Sequence, residues 1–422
     1  MNVLILGGGG REHAMAWKIS QSSNCDQLYL APGNAGTETV GRNLDGIGSD
    51  FEMIKKAVLD NNIDLVIVGP EAPLVDGIVD FFLGDKDLQD VNILGPDKKA
   101  AQLEGSKSFA KSFMEKYEIP TAQYLEVGPS NLEEGYAFLD KMKPPYVLKA
   151  DGLAAGKGVL ILDDIAEARK ELGLMLKGKF GDASEKVVIE EFLDGIEFSV
   201  FALVDGKDFI ILPEAKDYKR IGEGDTGLNT GGMGSVSPVP FYDSVLKEKV
   251  QSQIIEPTVK GIIEEKMLYR GFIFFGLINV DGEPKVIEYN CRMGDPETQS
   301  VFVRLENDLL EVCDKASRGE LEGMESRFSP DTVCTIVAVS GGYPGGYEKG
   351  KKIDGLDNIE ELVFHAGTKR SGEEIQTNGG RVLAVTAKGK TIDEARNSAL
   401  REIEKIKFEG INYRRDIGVD LL

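Results

Sequence analysis

An apolar run at residues 2–6 stops on four successive glycines, Gly7 to Gly10, and a helix-like stretch at 12–20 follows. Strand, glycine turn, helix is the layout of a βα unit whose turn can hold an anion. Glycines admit close backbone approach, and the helix N-terminus offers free N–H groups and a positive dipole end. The alternation continues: 28–30, 65–68 and 91–94 read as buried strands, and 51–59 and 75–83 as helices between them. Strands alternating with helices imply a parallel sheet covered on both faces, so residues 1–103 read as one α/β domain.

The middle of the chain has another character. A helix at 106–117 ends before Ile119-Pro120, and strands at 146–149, 159–162, 187–190 and 197–204 follow at hairpin-like spacing around a helix at 165–176. A long helix, about 244–266, leads to strands 272–280 and 285–289 joined by Asp281-Gly282, which read as a hairpin. From about 331 a third α+β unit begins, with strands 334–339 and 381–386 and a helix from 392 to about 406. At roughly 150 residues per domain, 422 residues suit about three.

Composition removes several classes. Acidic residues outnumber basic ones, 71 to 49, and a net charge of −22 repels polyanions, which argues against nucleic acid as a partner. His13 and His365 are the only histidines, so a histidine-rich metal site is excluded and a Ser-His-Asp hydrolase has little to work with. Cys25, Cys291, Cys313 and Cys334 form no C-x-x-C pair. No apolar run reaches the ~18 residues of a membrane span, and MNVLILGGGGREH does not read as a signal peptide. The expected compartment is the cytoplasm.

The first glycine turn fails as a dinucleotide fingerprint. In G-x-G-x-x-G the last position falls on Glu12 or His13, and the second strand ends in Tyr29 to Asn34 without a ribose-binding acid. A phosphate or phosphosugar site is preferred over an NAD site or an empty turn. The second glycine run, 149–158, fails as a Walker loop: three residues separate Gly152 from Gly156, and Gly158 follows Lys157 where Ser or Thr is required. It reads as a hairpin loop over nucleotide phosphates with Lys149 as a point charge, a plain hairpin being the alternative.

The strand at 187–193 runs into paired carboxylates. Its extended backbone can match the edge of adenine, and Glu190, Glu191 or Glu197 can take ribose hydroxyls; solvated surface is the bland alternative. Glu288 and Asn290 stand two apart on a strand, so they share a face and their apolar neighbours point the other way. A carboxylate and an amide oxygen suit Mg²⁺. Arg292 beside Asp295 and Glu297 suggests capture of a substrate carboxylate or amine. The segment 217–234 shows no helix or strand period and reads as a shaped loop near a ligand, with disorder the alternative.

Taken in order, GGREHA (9–14), APGNAGT (31–37), VGPEAPLV (68–75), QLEGSK (102–107), KADGLAAGKGV (149–159), VIEEFLDG (188–195), GDTGLNTGGMG (224–234), NCRMGDPETQ (290–299) and TNGGRVL (377–383) make the chain resemble the phosphoribosylamine–glycine ligase (glycinamide ribonucleotide synthetase) family of the ATP-grasp superfamily. The resemblance covers almost the whole chain. It implies an ATP-grasp fold with an N-terminal parallel-sheet, Rossmann-like domain at 1–103, an ATP-grasp domain at 104–328 with a mobile nucleotide lid at about 122–194, and a small C-terminal α+β domain at 329–422. It implies ligation of glycine to 5-phosphoribosylamine through glycyl phosphate in purine synthesis, with ATP and Mg²⁺ or Mn²⁺ as cofactors, small molecules as the only partners, no membrane, and a monomer.

The resemblance also implies roles. Lys107, Lys149 and Gly156 would meet ATP phosphates. Glu190, Phe192 and Leu193 would hold adenine, with Glu191 and Glu197 near the ribose. Glu288 and Asn290 would bind the metal. Asp217, Lys219, Arg292, Asp295 and Glu297 would surround glycine and the growing amide, with Arg292 neutralising the phosphoryl group or the glycine carboxylate. Gly9, Gly10, Arg11, Gly33, Asn34, Ala35 and Glu71 would hold the phosphosugar. Family members often carry His where this chain has Tyr218 and Pro where it has Leu228, and 272–280 lacks the extra carboxylate that many ATP-grasp relatives place there. The competing readings are a related ATP-grasp carboxylase, an NAD-dependent oxidoreductase and a non-catalytic nucleotide-binding protein.

Overall fold

In the computed structural model, which describes residues 1–154 and 158–422, the alternating start of the chain forms a parallel sheet. Strands β1 (Asn2–Gly7), β2 (Gln27–Pro32), β3 (Arg42–Asn43), β4 (Leu65–Val68) and β5 (Asn92–Pro96) pair in the order β3-β2-β1-β4-β5, every pair parallel. Helices α1 (Gly10–Ile19), α2 (Phe51–Asp60), α3 (Glu71–Asp76) and α4 (Ile78–Gly84) alternate with them. Val3, Ile5, Leu65 and Ile67 share a core with Met15 and Ile19. Leu4, Leu6, Val66 and Val68 share the opposite one with Ile54, Val58 and Phe82. Burial on both faces is why these strands read as unbroken apolar runs. The strand order reverses between β1 and β4, so the glycines after β1 and Glu71 after β4 meet at the switch point where α/β sheets place ligands.

Helices α5 (Gln102–Gly105) and α6 (Lys107–Lys116) lead into a separate antiparallel sheet. Its strands are β6 (Tyr124–Val127), β7 (Tyr146–Ala150), β8 (Val159–Leu162) and β9 (Val187–Glu191), in the order β6-β9-β7-β8. Helices α7 (Leu132–Leu139) and α8 (Ile165–Met175) close a small core of their own around Leu139, Leu148, Leu172 and Ile189. Asp151 ties this unit to α6: it accepts from Ser108 N (2.7 Å) and Ser106 Oγ (3.0 Å), and its carbonyl accepts from Lys107 N (3.1 Å).

The long central strands β10 (Ile196–Val204) and β11 (Phe209–Asp217) come next, then a ribbon of β12 (Arg220–Gly222) and β13 (Thr226–Asn229), then β14 (Gly234–Ser237). Helices α9 (Ser244–Val250) and α10 (Glu256–Glu264) precede β15 (Tyr269–Val280) and β16 (Glu283–Asn290); α11 (Glu297–Arg304) and α12 (Leu309–Arg318) follow. The last unit holds β17 (Thr332–Val339), β18 (Leu362–His365), β19 (Thr368–Ser371), β20 (Glu374–Thr377), β21 (Arg381–Gly389) and α13 (Ile392–Ile403). Antiparallel pairing of Tyr269 with Pro96 joins β15 to β5, and β14 joins β11 to β17. One sheet therefore runs through all three parts in the order β18-β21-β17-β14-β11-β10-β15-β5-β4-β1-β2-β3.

Three features differ from the sequence-based expectation. The long helix is interrupted by a π turn at Gln251–Ile255; Pro257 has no N–H to give back to the preceding turn. The segment 217–234 is not featureless, since it contains the β12–β13 ribbon. Its strands are too short and too exposed to display a two-residue period, and Arg414 holds the ribbon by donating to Arg220 O (3.1 Å) and Asp225 (2.6 Å). Strands β3, β6, β11, β14, β18, β19 and β20 and helices α7, α11 and α12 were not expected.

Candidate active site

A hairpin with a fault in it builds the centre of the site. Asp281 and Gly282 both have positive φ (51° and 86°), the geometry of a type I′ turn between β15 and β16. Gly276 pairs with Glu288 but Leu277 pairs with Val286, so Ile287 is an extra residue, a bulge. Bulges re-aim side chains. Here Val286 and Tyr289 both enter the core, while Ile287 and Glu288 line a crevice with Glu197, Ser199, Asp217 and Lys219. Tyr289 points away from Glu288 as expected; Ile287 does not, and the bulge is the reason.

The separate sheet brings Lys149 toward this crevice, and α6 brings Lys107. Lys149 Nζ lies 3.0 Å from Glu190 Oε2 and donates to Ile287 O at 3.5 Å. Lys107 Nζ, at the start of α6, donates to Gly152 O at 3.4 Å; burial lowers its pKa against the pull of Glu288. Glu190 is buried, whereas Glu191, next along the strand, points to the other face and sits 3.5 Å from Lys285. Phe192 is exposed at the strand end. Gly156 lies outside the described residues.

Lys219 Nζ pairs with Glu197 Oε2 at 2.6 Å. Desolvation would lower Lys219, but Asp217, Glu197 and Glu288 outweigh it and hold the ammonium well above its ordinary value. Burial raises Asp217, and burial together with the Asp217 charge pushes Glu297 up to about 8. Ser199 Oγ donates to Glu297 at 3.4 Å.

Arg292 leaves β16 toward the parallel domain. It meets Glu104 at 2.9 Å and Glu71 at 3.6 Å and donates to Met293 O at 3.2 Å. Burial would lower this arginine, but Glu104, then Glu71, raise it. Desolvation raises Glu104, which also accepts from Cys291 N at 2.7 Å.

At the switch point two glycine turns touch. A Cβ on Gly8 would stand 2.4 Å from Gly33 O, and Gly33 itself has φ +72°. Asn34 knits them, donating to Gly8 O (3.0 Å) and His365 O (2.8 Å) while accepting from Gly36 N (2.8 Å). Ala35 is buried beside it. Gly9 N donates to Glu12 (2.7 Å), and Arg11 pairs with Glu12 (2.6 Å) and donates to Met293 O (3.2 Å). Gly10 lies against Gln299, which donates to Asp295 at 2.8 Å. Burial would raise Asp295, but Arg381 at 3.2 Å, with Arg11, holds it low.

The structure thus draws the expected residues into two connected groups. Glu197, Asp217, Lys219 and Glu288 line the crevice; Lys149, paired with Glu190, reaches it through Ile287 O, Glu297 through Ser199, and Lys107 feels the charge of Glu288. Gly9, Gly10, Arg11, Glu71 and Asp295 ring the switch point, and Arg292 lies between the groups. Sequence reasoning missed Lys111, Glu104 and Arg381. Lys111 follows Lys107 by four residues on one helix, a spacing that puts both on one face. Glu104 and Arg381 lie inside QLEGSK and TNGGRVL; the first had been given a role only through Lys107, and the second had none.

The fold and the crevice define a ligase of the ATP-grasp class. The chain belongs to the phosphoribosylglycinamide synthetase family. It matches that family's N domain over residues 1–104, its ATP-grasp (A) domain over 105–298 and its C domain over 333–420. A phosphoribosylamine–glycine ligase of Vibrio cholerae is 46% identical over 425 residues, 99% of this chain and 98% of that protein. The crystal structure of the phosphoribosylamine–glycine ligase of Thermotoga maritima is similar with a TM-score of 0.86 at 38% identity, covering 99% of this chain and all of that one. The biotin carboxylase domain of Hydrogenobacter thermophilus 2-oxoglutarate carboxylase, at 15% identity and a TM-score of 0.73 over 98% of this chain and 92% of that one, shares the fold.

Proposed function

We infer that this chain joins glycine to 5-phosphoribosylamine at the expense of ATP, giving glycinamide ribonucleotide, ADP and phosphate, the second step of purine synthesis. One observation carries the reading: Lys149 of a separate sheet reaches the bulged strand at Ile287, beside a crevice lined by Glu197, Asp217, Lys219 and Glu288, and Arg292 joins that strand to Glu71 of the parallel domain. Nucleotide, amino acid and phosphosugar each have a place along that line. We divide the chain at 1–103, 104–328 with a lid at about 122–194, and 329–422.

No protein nucleophile is required. A glycine carboxylate oxygen takes the γ-phosphoryl group of ATP and ADP leaves; the amine of phosphoribosylamine then attacks the acyl carbon, phosphate departs and the nitrogen sheds a proton. Catalysis is positioning and charge neutralisation. Lys107 and Lys149 meet the phosphates. The backbone of residues 190–193 reads adenine, Glu197 takes the ribose, and Glu191 stands at the rim. Arg292 and Lys219 neutralise the glycine carboxylate and the transferring phosphoryl group, with Asp217 and Glu297 facing the glycine amine. Gly9, Gly10, Arg11, Gly33 and Glu71 cradle the phosphosugar, with Asn34 shaping the turn and Asp295 holding its cations.

The metal donors fit a hard divalent cation. Among the described residues, neither the Glu288 nor the Asn290 side chain is engaged in a hydrogen bond or ion pair, and no group of three or more His, Cys, Asp and Glu is built to hold a metal. Two protein oxygens, completed by phosphate oxygens and water, suit Mg²⁺ or Mn²⁺. When bound, the ion supplies charge neutralisation at the phosphates. Among the described residues no helix is long and apolar enough to cross a membrane; a cytoplasmic setting fits four free cysteines.

The test is ADP formation. It should require glycine and phosphoribosylamine together. ADP formed with bicarbonate in place of glycine would point to a carboxylase, and an absorbance change with NAD to a dehydrogenase; either sinks this reading.

A further inference from the structure

At the root of the lid, two ammonium groups share one carboxylate oxygen. Glu190 Oε2 lies 3.0 Å from Lys149 Nζ and 3.2 Å from Lys111 Nζ, with side-chain exposures of 5%, 7% and 2% for Glu190, Lys149 and Lys111. Glu190 Oε1 is buried without a hydrogen-bond partner among the described residues. Two cations against one anion leave the trio with excess positive charge in a dry place. Such charge is costly unless an anion completes it.

The two lysines are held differently. Lys111 also donates to Thr121 Oγ1 at 2.8 Å, and Thr121 in turn donates to Val286 O at 2.7 Å. That chain fixes Lys111 to the bulged strand. Among the described residues Lys149 has only a long contact besides Glu190, 3.5 Å to Ile287 O, and it lies near Lys107. An arriving phosphate can therefore draw Lys149 away, but not Lys111.

We propose that Lys111 is a positioning residue for nucleotide binding: it remains on Glu190 as counter-ion when Lys149 moves from Glu190 to the phosphates. Without Lys111, the departure of Lys149 would strand a buried carboxylate, so Lys149 would stay locked on Glu190 and the phosphates would lose their cation. The inference rests on the reading that Lys149 meets ATP phosphates.

The experiment is calorimetric binding of Mg-ATP to the full chain. Wild type should bind; if it does not, the functional reading fails, whatever the role of Lys111. Lys111→Met should weaken Kd roughly 10- to 100-fold, the effect of a charged group losing a buried partner. Lys111→Met/Glu190→Gln should recover most of that loss, because a neutral side chain no longer traps Lys149. A packing role for Lys111 would leave the double variant as weak as the single one, and that result overturns the proposal. Thr121→Val, which keeps shape and frees Lys111 from its tether, guards against misfolding of the first variant and should shift Kd the same way by a smaller factor. Unchanged Kd in Thr121→Val and Lys111→Met together also overturns it.

Discussion

Arg292 and Glu104 meet at 2.9 Å across the junction between the bulged strand and the parallel domain, and Glu71 completes the clasp from the far side at 3.6 Å. The guanidinium is thus held in place between the bulged strand and the parallel domain. Lysine in its place keeps the charge and loses the planar fork that two carboxylates orient. Arg292→Lys should lower kcat by roughly 10²–10³, the usual loss when a preorganised charge-stabilising group is displaced. Steady-state ADP release with saturating substrates measures it. Activity close to wild type would remove Arg292 from the reacting centre.

Glu288 owes its aim to the Ile287 bulge, and its carboxylate lies across the crevice from Lys107 and Lys219. Glu288→Gln keeps the shape and removes the negative oxygen a divalent cation needs. The Mg²⁺ concentration for half-maximal activity should rise roughly 10- to 100-fold, at least the loss that follows removal of an outer-sphere partner. Titration of activity with Mg²⁺ at fixed ATP reads it directly. An unshifted titration would place the metal elsewhere.

The apolar runs of the parallel domain were legible because both faces of β1 and β4 are buried, which leaves no polar alternation to confuse the pattern. The hairpin turn was legible because Asp281-Gly282 is one of few pairs that tolerate two positive φ angles. The bulge at Ile287 was not: nothing in KVIEYN distinguishes one extra residue from regular alternation. The β12–β13 ribbon was hidden because its order comes from Arg414, nearly two hundred residues away in the chain. Long-range partners explain the missed site residues as well. Glu104 matters through Arg292 and Cys291, and Arg381 through Asp295, pairings that a linear pattern does not carry.

Arg381 brings the C-terminal unit into the site. It donates to Gly231 O and to Asp295 O, each at 2.5 Å, and faces the Asp295 carboxylate at 3.2 Å. Arg11 acts on the same carboxylate. Arg11 is already paired with Glu12, so Arg381 is the cation we assign to the phosphate of the sugar substrate. Arg381→Ala should raise KM for glycinamide ribonucleotide in the reverse direction by roughly 10- to 100-fold, as expected for loss of a charged hydrogen bond, while KM for ADP holds. A rise in the nucleotide KM instead would mean that Arg381 serves only the loop around Gly231.

The two histidines tie the first unit to the last and give the fold a pH dependence of definite sign. His365 N donates to His13 Nδ1 at 2.8 Å, so the His13 ring must keep a lone pair there. Burial, then the neighbouring His365, lowers His13 to about 3; burial, then Arg370, lowers His365 to about 4. Unfolded histidine titrates near 6.5. Above that pH neither state takes a proton, so the pair adds no slope. As pH falls from 6.5 toward 4, the unfolded chain binds protons that the folded chain refuses, and stability drops by roughly 1.4 kcal/mol per unit for each histidine. Below about 3 the slope ends. His13→Gln retains an acceptor for the His365 amide but cannot be protonated. Thermal midpoints at pH 7 and pH 5 should therefore fall less in His13→Gln than in wild type. Equal falls in the two proteins would assign the acid sensitivity to carboxylates and leave the histidine contact without a part in it.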